Sequence, residues 1–280
     1  MHSVRKPRNI GRVVIHLVLI ALSVVFLLPF FWMLSTALKS ESQIFVNPPV
    51  WFPRPMQWDN FKKAVEYIPF FKYMRNTTFV AIMDVLGTVI ACPLAAYGLS
   101  RIEWKGRDAL FFITIAVMMI PTEVTMVPSF ILYNKLGLVG TYLPLYITSF
   151  FGGRPFMIFL LRQFFMNLPR DLEDAARIDG ANELHIYAKI VLPLVVPGIL
   201  TVALFRFMNS WNDFLGPLLY LSDEKMYTLS IGLQMFTTQY KTQWALLMAA
   251  SLLITLPVIV IYFFVQKRFI EGITFSGIKG

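Results

Sequence analysis

Five ionisable residues fall inside stretches that are otherwise apolar: Asp84, Glu123, Arg154, Arg206 and Asp213. A charged side chain at the middle of a bilayer costs roughly 2.5–3.5 kcal/mol on insertion scales, so such groups face a bundle interior or water. Polar residues gather near one of them: Arg206, Asn209, Asn212 and Asp213. On a helix Arg206, Asn209 and Asp213 share a face, with Trp211 on another. Amides and charged groups bond hydroxyls, and aromatic faces stack on sugar rings. One reading of Asp84, Glu123, Arg206, Asn209, Asn212 and Asp213 is therefore a polar path for a hydroxyl-rich solute. The other is a set of interhelical ion pairs, such as Arg206 with Asp84 or Glu123, holding a bundle together. Catalytic chemistry has little to work with. His2, His16 and His185 are scattered without ligand spacing, and the single Cys92 allows neither an internal disulfide nor a cysteine-rich metal site. No G-x-x-x-x-G-K-[ST] loop is present. No catalytic residue, metal or bound cofactor is expected, and any energy must come from a partner.

The elements that must position these groups follow from hydropathy. Of 280 residues, 57% are hydrophobic and 15% charged, against about 45–50% and about 25% in soluble domains. The expected fold is all-α and polytopic, one transmembrane domain over 1–280. Spans of the length a roughly 30 Å hydrocarbon layer needs are expected near 13–34, 77–99, 109–132, 142–165, 190–214 and 244–265. Residues 39–75 form an outer loop with a short helix near 60–67. Pro93, Pro121 and Pro128 are expected to kink their helices, and Trp211 and Trp244 to sit at interfaces. The run 13–34 exceeds the roughly 7–15 residues of a signal-peptide core.

Lys and Arg set the orientation. Fourteen fall in the segments placed inside: Arg5, Lys6, Arg8 and Arg12; Arg101, Lys105 and Arg107; Arg162, Arg170, Arg177 and Lys189; Lys267, Arg268 and Lys279. Nine fall outside, most of them in the one long loop. Both termini and the polar segment 169–189 are thus expected in the cytoplasm. The net charge of +9 comes with no nucleic-acid module.

That polar segment opens PRDLEDAARIDGANELHIYAKIVLPLVVP, residues 169–197. Pro169 suits a first helical position, and Asp171, Glu173 and Asp174 suit the positive end of a helix dipole. Gly180 can take a left-handed stop, and Asn182 can cap the next helix. Leu172, Ala175, Ala176 and Asp179 would share one face, where two alanines admit a close neighbour. The acidic character argues against a helix lying in lipid headgroups.

Asp174-Ala175-Ala176, Gly180, Ile190, Leu192 and Pro193 stand in the register Glu-Ala-Ala, three residues, Gly, nine residues, Ile, one residue, Leu-Pro. The sequence thereby resembles the permeases of binding-protein-dependent ABC transporters. Asp174 replaces the family's Glu, and Glu173 beside it is placed to compensate. Leu160-Leu161-Arg162-Gln163-Phe164-Phe165, Trp211-Asn212-Asp213-Phe214-Leu215-Gly216-Pro217 and the tail from Gln266-Lys267-Arg268-Phe269 to Gly277-Ile278-Lys279-Gly280 are similar to the carbohydrate branch of that family, the maltose-porter MalG-like members.

The resemblance implies a type I importer permease fold of six transmembrane helices. It implies a cytoplasmic coupling helix, with Glu173, Asp174, Ala175, Ala176, Gly180, Ile190, Leu192 and Pro193 as the ATPase-coupling residues. It further implies a second homologous permease subunit, two ATPase subunits that bind ATP and Mg, and an extracytoplasmic solute-binding protein in a prokaryotic inner membrane. Sugar as the solute follows from the resemblance alone, and a non-sugar solute of the same family is the alternative. The inverted repeats and paired broken helices of an ion-coupled carrier are not visible in the sequence, nor is the convergent residue set of an intramembrane enzyme.

Overall fold

Apolar runs of this length, with almost no strand-like alternation, fold as helices. The computed structural model describes residues 9–152, 154–238 and 242–275. Arg5, Lys6 and Arg8 and the closing residues 276–280 lie outside them, as do the side chains of Lys267 and Arg268. In chain order come α1 (Asn9–Ala37), α2 (Asp59–Tyr67), α3 (Phe70–Ser100), α4 (Arg107–Val117), α5 (Thr122–Lys135), α6 (Leu143–Phe150) and α7 (Pro155–Met166). Then follow α8 (Asp171–Ile178), α9 (Glu183–His185), a π-helical turn (Ile186–Val191), α10 (Leu192–Leu194), α11 (Val196–Trp211), α12 (Leu215–Tyr220), α13 (Leu229–Gln234) and α14 (Trp244–Phe275). Among the described residues there is no strand, only the isolated bridge between Thr237 and Thr242.

Four stretches are long and apolar enough to cross a membrane: Gly11–Ala37, Phe70–Ser100, Leu143–Met166, which holds α6 and α7, and Trp244–Gln266. The expected third and fifth spans are instead bent pairs. Arg107–Val117 meets Thr122–Lys135 at 98°, and Glu183–Leu194 meets Val196–Trp211 at 75°. The count is thus four to six. Proline explains the bends: it lacks a donor and pushes the preceding residue out of the helical region. Pro121 stands immediately before α5, and Pro197 sits in the first turn of α11. Pro93 and Pro128 lie inside helices that continue through them.

The second span also differs from expectation. The outer loop was expected to run to residue 75, but α3 begins at Phe70. Polar residues there marked the end of hydropathy, not of helix, because they have partners. Asn76 Nδ2 donates to the carbonyls of Lys225 (3.0 Å) and Tyr227 (2.9 Å), and Tyr73 Oη donates to Glu224 Oε1 (3.3 Å).

The chain divides into two compact units. One holds α1, the loop with α2, and α14 as far as Thr255. The apolar side chains of α1 are exposed on every side, from Val13 to Phe31, as on a helix meant for lipid. The end of α1 is fastened by Asn60, whose Nδ2 donates to the carbonyls of Ala37 (2.8 Å) and Lys39 (2.9 Å). Buried Lys39 lays its ammonium 4.0 Å from the centre of the Trp32 ring.

The other unit is organised on α3, which packs against α6, α7 and α11. Cys92, Ala96, Tyr97, Leu161, Phe165 and Val202 form its core. Small residues let these helices close up where apolar side chains have little hydrophobic drive to associate. At Gly87 a Cβ would stand 2.9 Å from the backbone nitrogen of Phe150, so a side chain there pushes α6 off α3. Gly87→Leu should cost about 1–3 kcal/mol through overpacking, read as a lowered thermal midpoint of the purified chain in detergent. Gly98→Ala, facing open space, should leave the midpoint unchanged or raise it.

Candidate functional site

Asp84, in the middle of α3, is fully buried. Ser149 Oγ of α6 donates to its Oδ1, and the Arg206 guanidinium of α11 pairs with its Oδ2. Arg154, in the connection before α7, brings Nη2 to 3.7 Å from Asp84 Oδ1 and donates from Nε to Ser149 Oγ at 3.2 Å. One carboxylate therefore gathers three helices and a connection, facing two guanidinium groups. Arg206 is 8% exposed, and its Nε has no hydrogen-bond partner among the described residues. Of the two acids considered for Arg206, the structure places Asp84 against it and leaves Glu123 exposed on α5.

Two cavities adjoin this centre. One of about 390 Å³ is lined by Glu123, Asp213, Arg154, Tyr133 and Tyr220 among others. The second, of about 480 Å³, is lined by Arg206, Asn209, Arg154 and Phe156 among others. Arg154, Thr122 and Thr125 line both. Asp84 is not among the lining residues described. Neither is Asn212, which is exposed and donates from Nδ2 to the Met208 carbonyl (2.8 Å) past the end of α11. Asp213 Oδ1 accepts from the Gly216 amide at 3.0 Å. Trp211 is buried against Phe207, ring centres 5.2 Å apart, and is no interfacial anchor. Sequence reasoning noticed Arg154 as a charge but left it out of the path. It missed Thr122, Thr125, Tyr133 and Tyr220 altogether, because hydroxyls in apolar helices are cheap enough to raise no signal. The one cue to Arg154 was its place between a glycine pair and Pro155.

The second polar centre is α8. Its end is closed by Gly180 at φ +83°, with Gly180 N donating to Arg177 O (3.1 Å) and Ala181 N to Ala176 O (2.9 Å). This is the paired-bond stop that a residue without a Cβ allows. Asn182 Oδ1 accepts from the His185 amide at 2.8 Å and starts α9.

The inward face of α8 carries Glu173 and Ala176; Leu172, Asp174, Ala175 and Asp179 are exposed. Of the residues expected to share one face, Ala176 is the one turned inward, beside Glu173. The reason is an arginine. Arg101, just past α3, donates from Nε to Glu173 Oε1 at 2.6 Å, both side chains 3% exposed. The same guanidinium donates from Nη1 to the carbonyls of Phe165 (3.2 Å) and Leu168 (3.1 Å), and from Nη2 to that of Pro169 (3.4 Å).

A second tie runs through Glu183, which accepts from Arg177 Nε (2.9 Å) and from Tyr97 Oη (2.9 Å). The Arg177 bond outweighs partial burial and, with Tyr97, holds the Glu183 carboxyl below its ordinary range. Arg177 also pairs with Asp174 (2.8 Å). Ile190 and Leu192 pack against the core as half-buried side chains, while Pro193 is exposed. Leu172, Ile178 and Leu184 leave apolar surface uncovered. Among the described residues no three His, Cys, Asp or Glu gather to hold a metal.

Residues 85–274 match the family described as the binding-protein-dependent transport system inner membrane component. The chain is similar to the arabinooligosaccharides transport system permease protein AraQ of Bacillus subtilis, 34% identical over 97% of each chain. It is 30% identical to the trehalose/maltose transport system permease protein MalG of Thermococcus litoralis, over 93% of this chain and 94% of that one. Its fold is that of a chain in the crystal structure of a bacterial ABC transporter involved in the import of the acidic polysaccharide alginate. The TM-score is 0.78 at 24% identity, covering 96% of this chain and 100% of the other.

The buried pair makes a stability prediction. Arg206→Ala leaves Asp84 short of a partner and should cost about 3–5 kcal/mol, seen as a large fall in the thermal midpoint in detergent. Glu123→Gln, on an exposed acid, should stay within about 0.5 kcal/mol.

Proposed function

This chain belongs to the family of binding-protein-dependent transport system inner membrane components, and from that premise we propose that it is the permease subunit of an ATP-driven importer carrying a carbohydrate, an oligosaccharide or sugar derivative, across the cytoplasmic membrane. The names of its relatives support the solute class. It works with a second, different permease chain, two ATPase subunits that bind ATP and Mg, and an extracytoplasmic solute-binding protein. The bent pairs each count as one span, making six, with both termini and α8 in the cytoplasm.

One observation carries the coupling role: α8 turns an acid and an alanine inward and keeps apolar side chains outward. A water-facing helix with Leu172 and Ile178 uncovered beside Asp174 suits a cleft in a partner protein. Because Glu173 is buried against Arg101, the exposed acid Asp174, paired with Arg177 of the same helix at 2.8 Å, is the one a partner can reach. Closure of the ATPase pair on ATP moves α8 as a body. The left-handed stop at Gly180 is the bend, and residues 190–193 lead into α11, so that the spans switch access from outside to inside. The solute passes through the two cavities. Glu123, Asp213, Asn209 and Arg154 offer hydrogen bonds to hydroxyls there, and Tyr133 and Tyr220 offer aromatic faces. Asp84 serves the path by holding Arg206.

Docking is tested at Ile178, exposed enough that folding is indifferent to it. Ile178→Asp should weaken co-purification with the ATPase subunits about tenfold, or ~1.4 kcal/mol. Isolation of the intact complex with α8 bare of any ATPase subunit would sink the reading. Gly180→Val places a β-branched residue at positive φ, at roughly 1–2 kcal/mol. It should cut uptake at least tenfold in a chain that still assembles.

A further inference from the structure

The chain offers two routes from α8 to the polar centre at Asp84. The covalent one runs through α9, the π turn at Ile186–Val191, α10, a 75° bend and α11. It is soft: a π turn, Pro193 and Pro197 each interrupt regular helical bonding. The other runs through α3. At one end α3 and the residue after it hold the α8 segment: Arg101 through buried charge on Glu173 and on the carbonyls of Phe165, Leu168 and Pro169, and Tyr97 through a hydroxyl bond to the half-exposed Glu183. In its middle Asp84 holds Arg206, Ser149 and Arg154. Between these ties α3 is one helix that continues through Pro93 without a break, roughly 26 Å from Asp84 to Arg101 at about 1.5 Å per residue.

We propose that Arg101 and Glu173 are positioning residues, a clamp through which displacement of α8 reaches the Asp84–Arg206 centre by way of α3 rather than by the chain's own path into α11. This rests on α8 being the surface the ATPase moves. A buried ion pair with its remaining donors satisfied resists extension, because separating it leaves charge unpaired in a medium that cannot solvate it. A helix tied at both places therefore moves when either place moves. The interruptions in the covalent route absorb displacement instead. Ion-pair networks joined by a rigid secondary element are among the structures that carry energetic coupling between distant sites.

The test uses the whole transporter, purified with its ATPase subunits, and needs no knowledge of the solute. Spin labels at Phe79→Cys on α3 and Val124→Cys on α5, both exposed and not joined through the Asp84 centre, report the movement of α3, with and without MgATP trapped by vanadate. With the clamp intact, MgATP should shift the distance. In Glu173→Gln the shift should fall by at least half while the ATPase subunits still co-purify, and Arg101→Lys, which keeps the charge, should recover part of it. A full shift in an assembled Glu173→Gln complex overturns the clamp. If Glu173→Gln does not assemble, Tyr97→Phe decides, since it removes one hydroxyl from the same junction: a reduced shift supports the route and an unchanged one overturns it. Failure of the unsubstituted chain to co-purify with any ATPase subunit would instead overturn the docking reading on which the clamp rests.

Discussion

A carboxylate in a low-dielectric layer must be paired, and that requirement at Asp84 shapes the larger unit. Water is not available to satisfy it, so the protein brings partners from three places distant in sequence. Arg206 of α11, Ser149 of α6 and Arg154 ahead of α7 converge on it. Each of those elements is thereby held to α3, and the close approach at Gly87 lets α6 come near enough to take part. The cavities open beside this knot rather than through it. Arg154 is common to both, tied to Ser149 on one side and facing open volume on the other. Stability and the polarity of the cavities are therefore not separable at this centre. The groups that make the cavities polar are kept there by the groups that hold the bundle.

The α8 junction repeats the device at the other end of α3. Arg101 uses its planar set of donors on one carboxylate and three backbone carbonyls, a geometry a lysine does not match. The carbonyls it takes up belong to the end of α7 and the turn after it, where helix carbonyls lack their regular partners; that of Phe165 also accepts from the Leu168 amide at 3.1 Å. Entry into α8 is thus fixed in position, while its outer face, with Asp174, Ala175 and Ile178, is exposed. Past it, the left-handed stop at Gly180 and the π turn interrupt regular helical bonding.

Several features were legible from residue order. Hydropathy located every apolar stretch, turn chemistry located the stop at Gly180 and the cap at Asn182, and motif spacing pointed to the family. These are local: each depends on neighbours within a few positions, where the physics of caps, turns and burial is already decided. Bends were harder to read. Pro121 stands before α5 and Pro197 in the first turn of α11, whereas Pro93 and Pro128 lie inside continuous helices, and residue type alone does not separate the two cases.

Pairing belonged to the tertiary structure. Residue types announced that Asp84, Arg154 and Arg206 were costly to bury, but both Asp84 and Glu123 were open as partners for Arg206. Only the packing of α3 against α11 selects the first. The inward face of α8 likewise turned on Arg101, which lies 72 positions from Glu173 and carries no local sign of that contact. The order of residues determined which groups could not be left alone in an apolar medium. The three-dimensional packing decided which of them met, because electrostatic satisfaction depends on distance in space and no short-range rule encodes it.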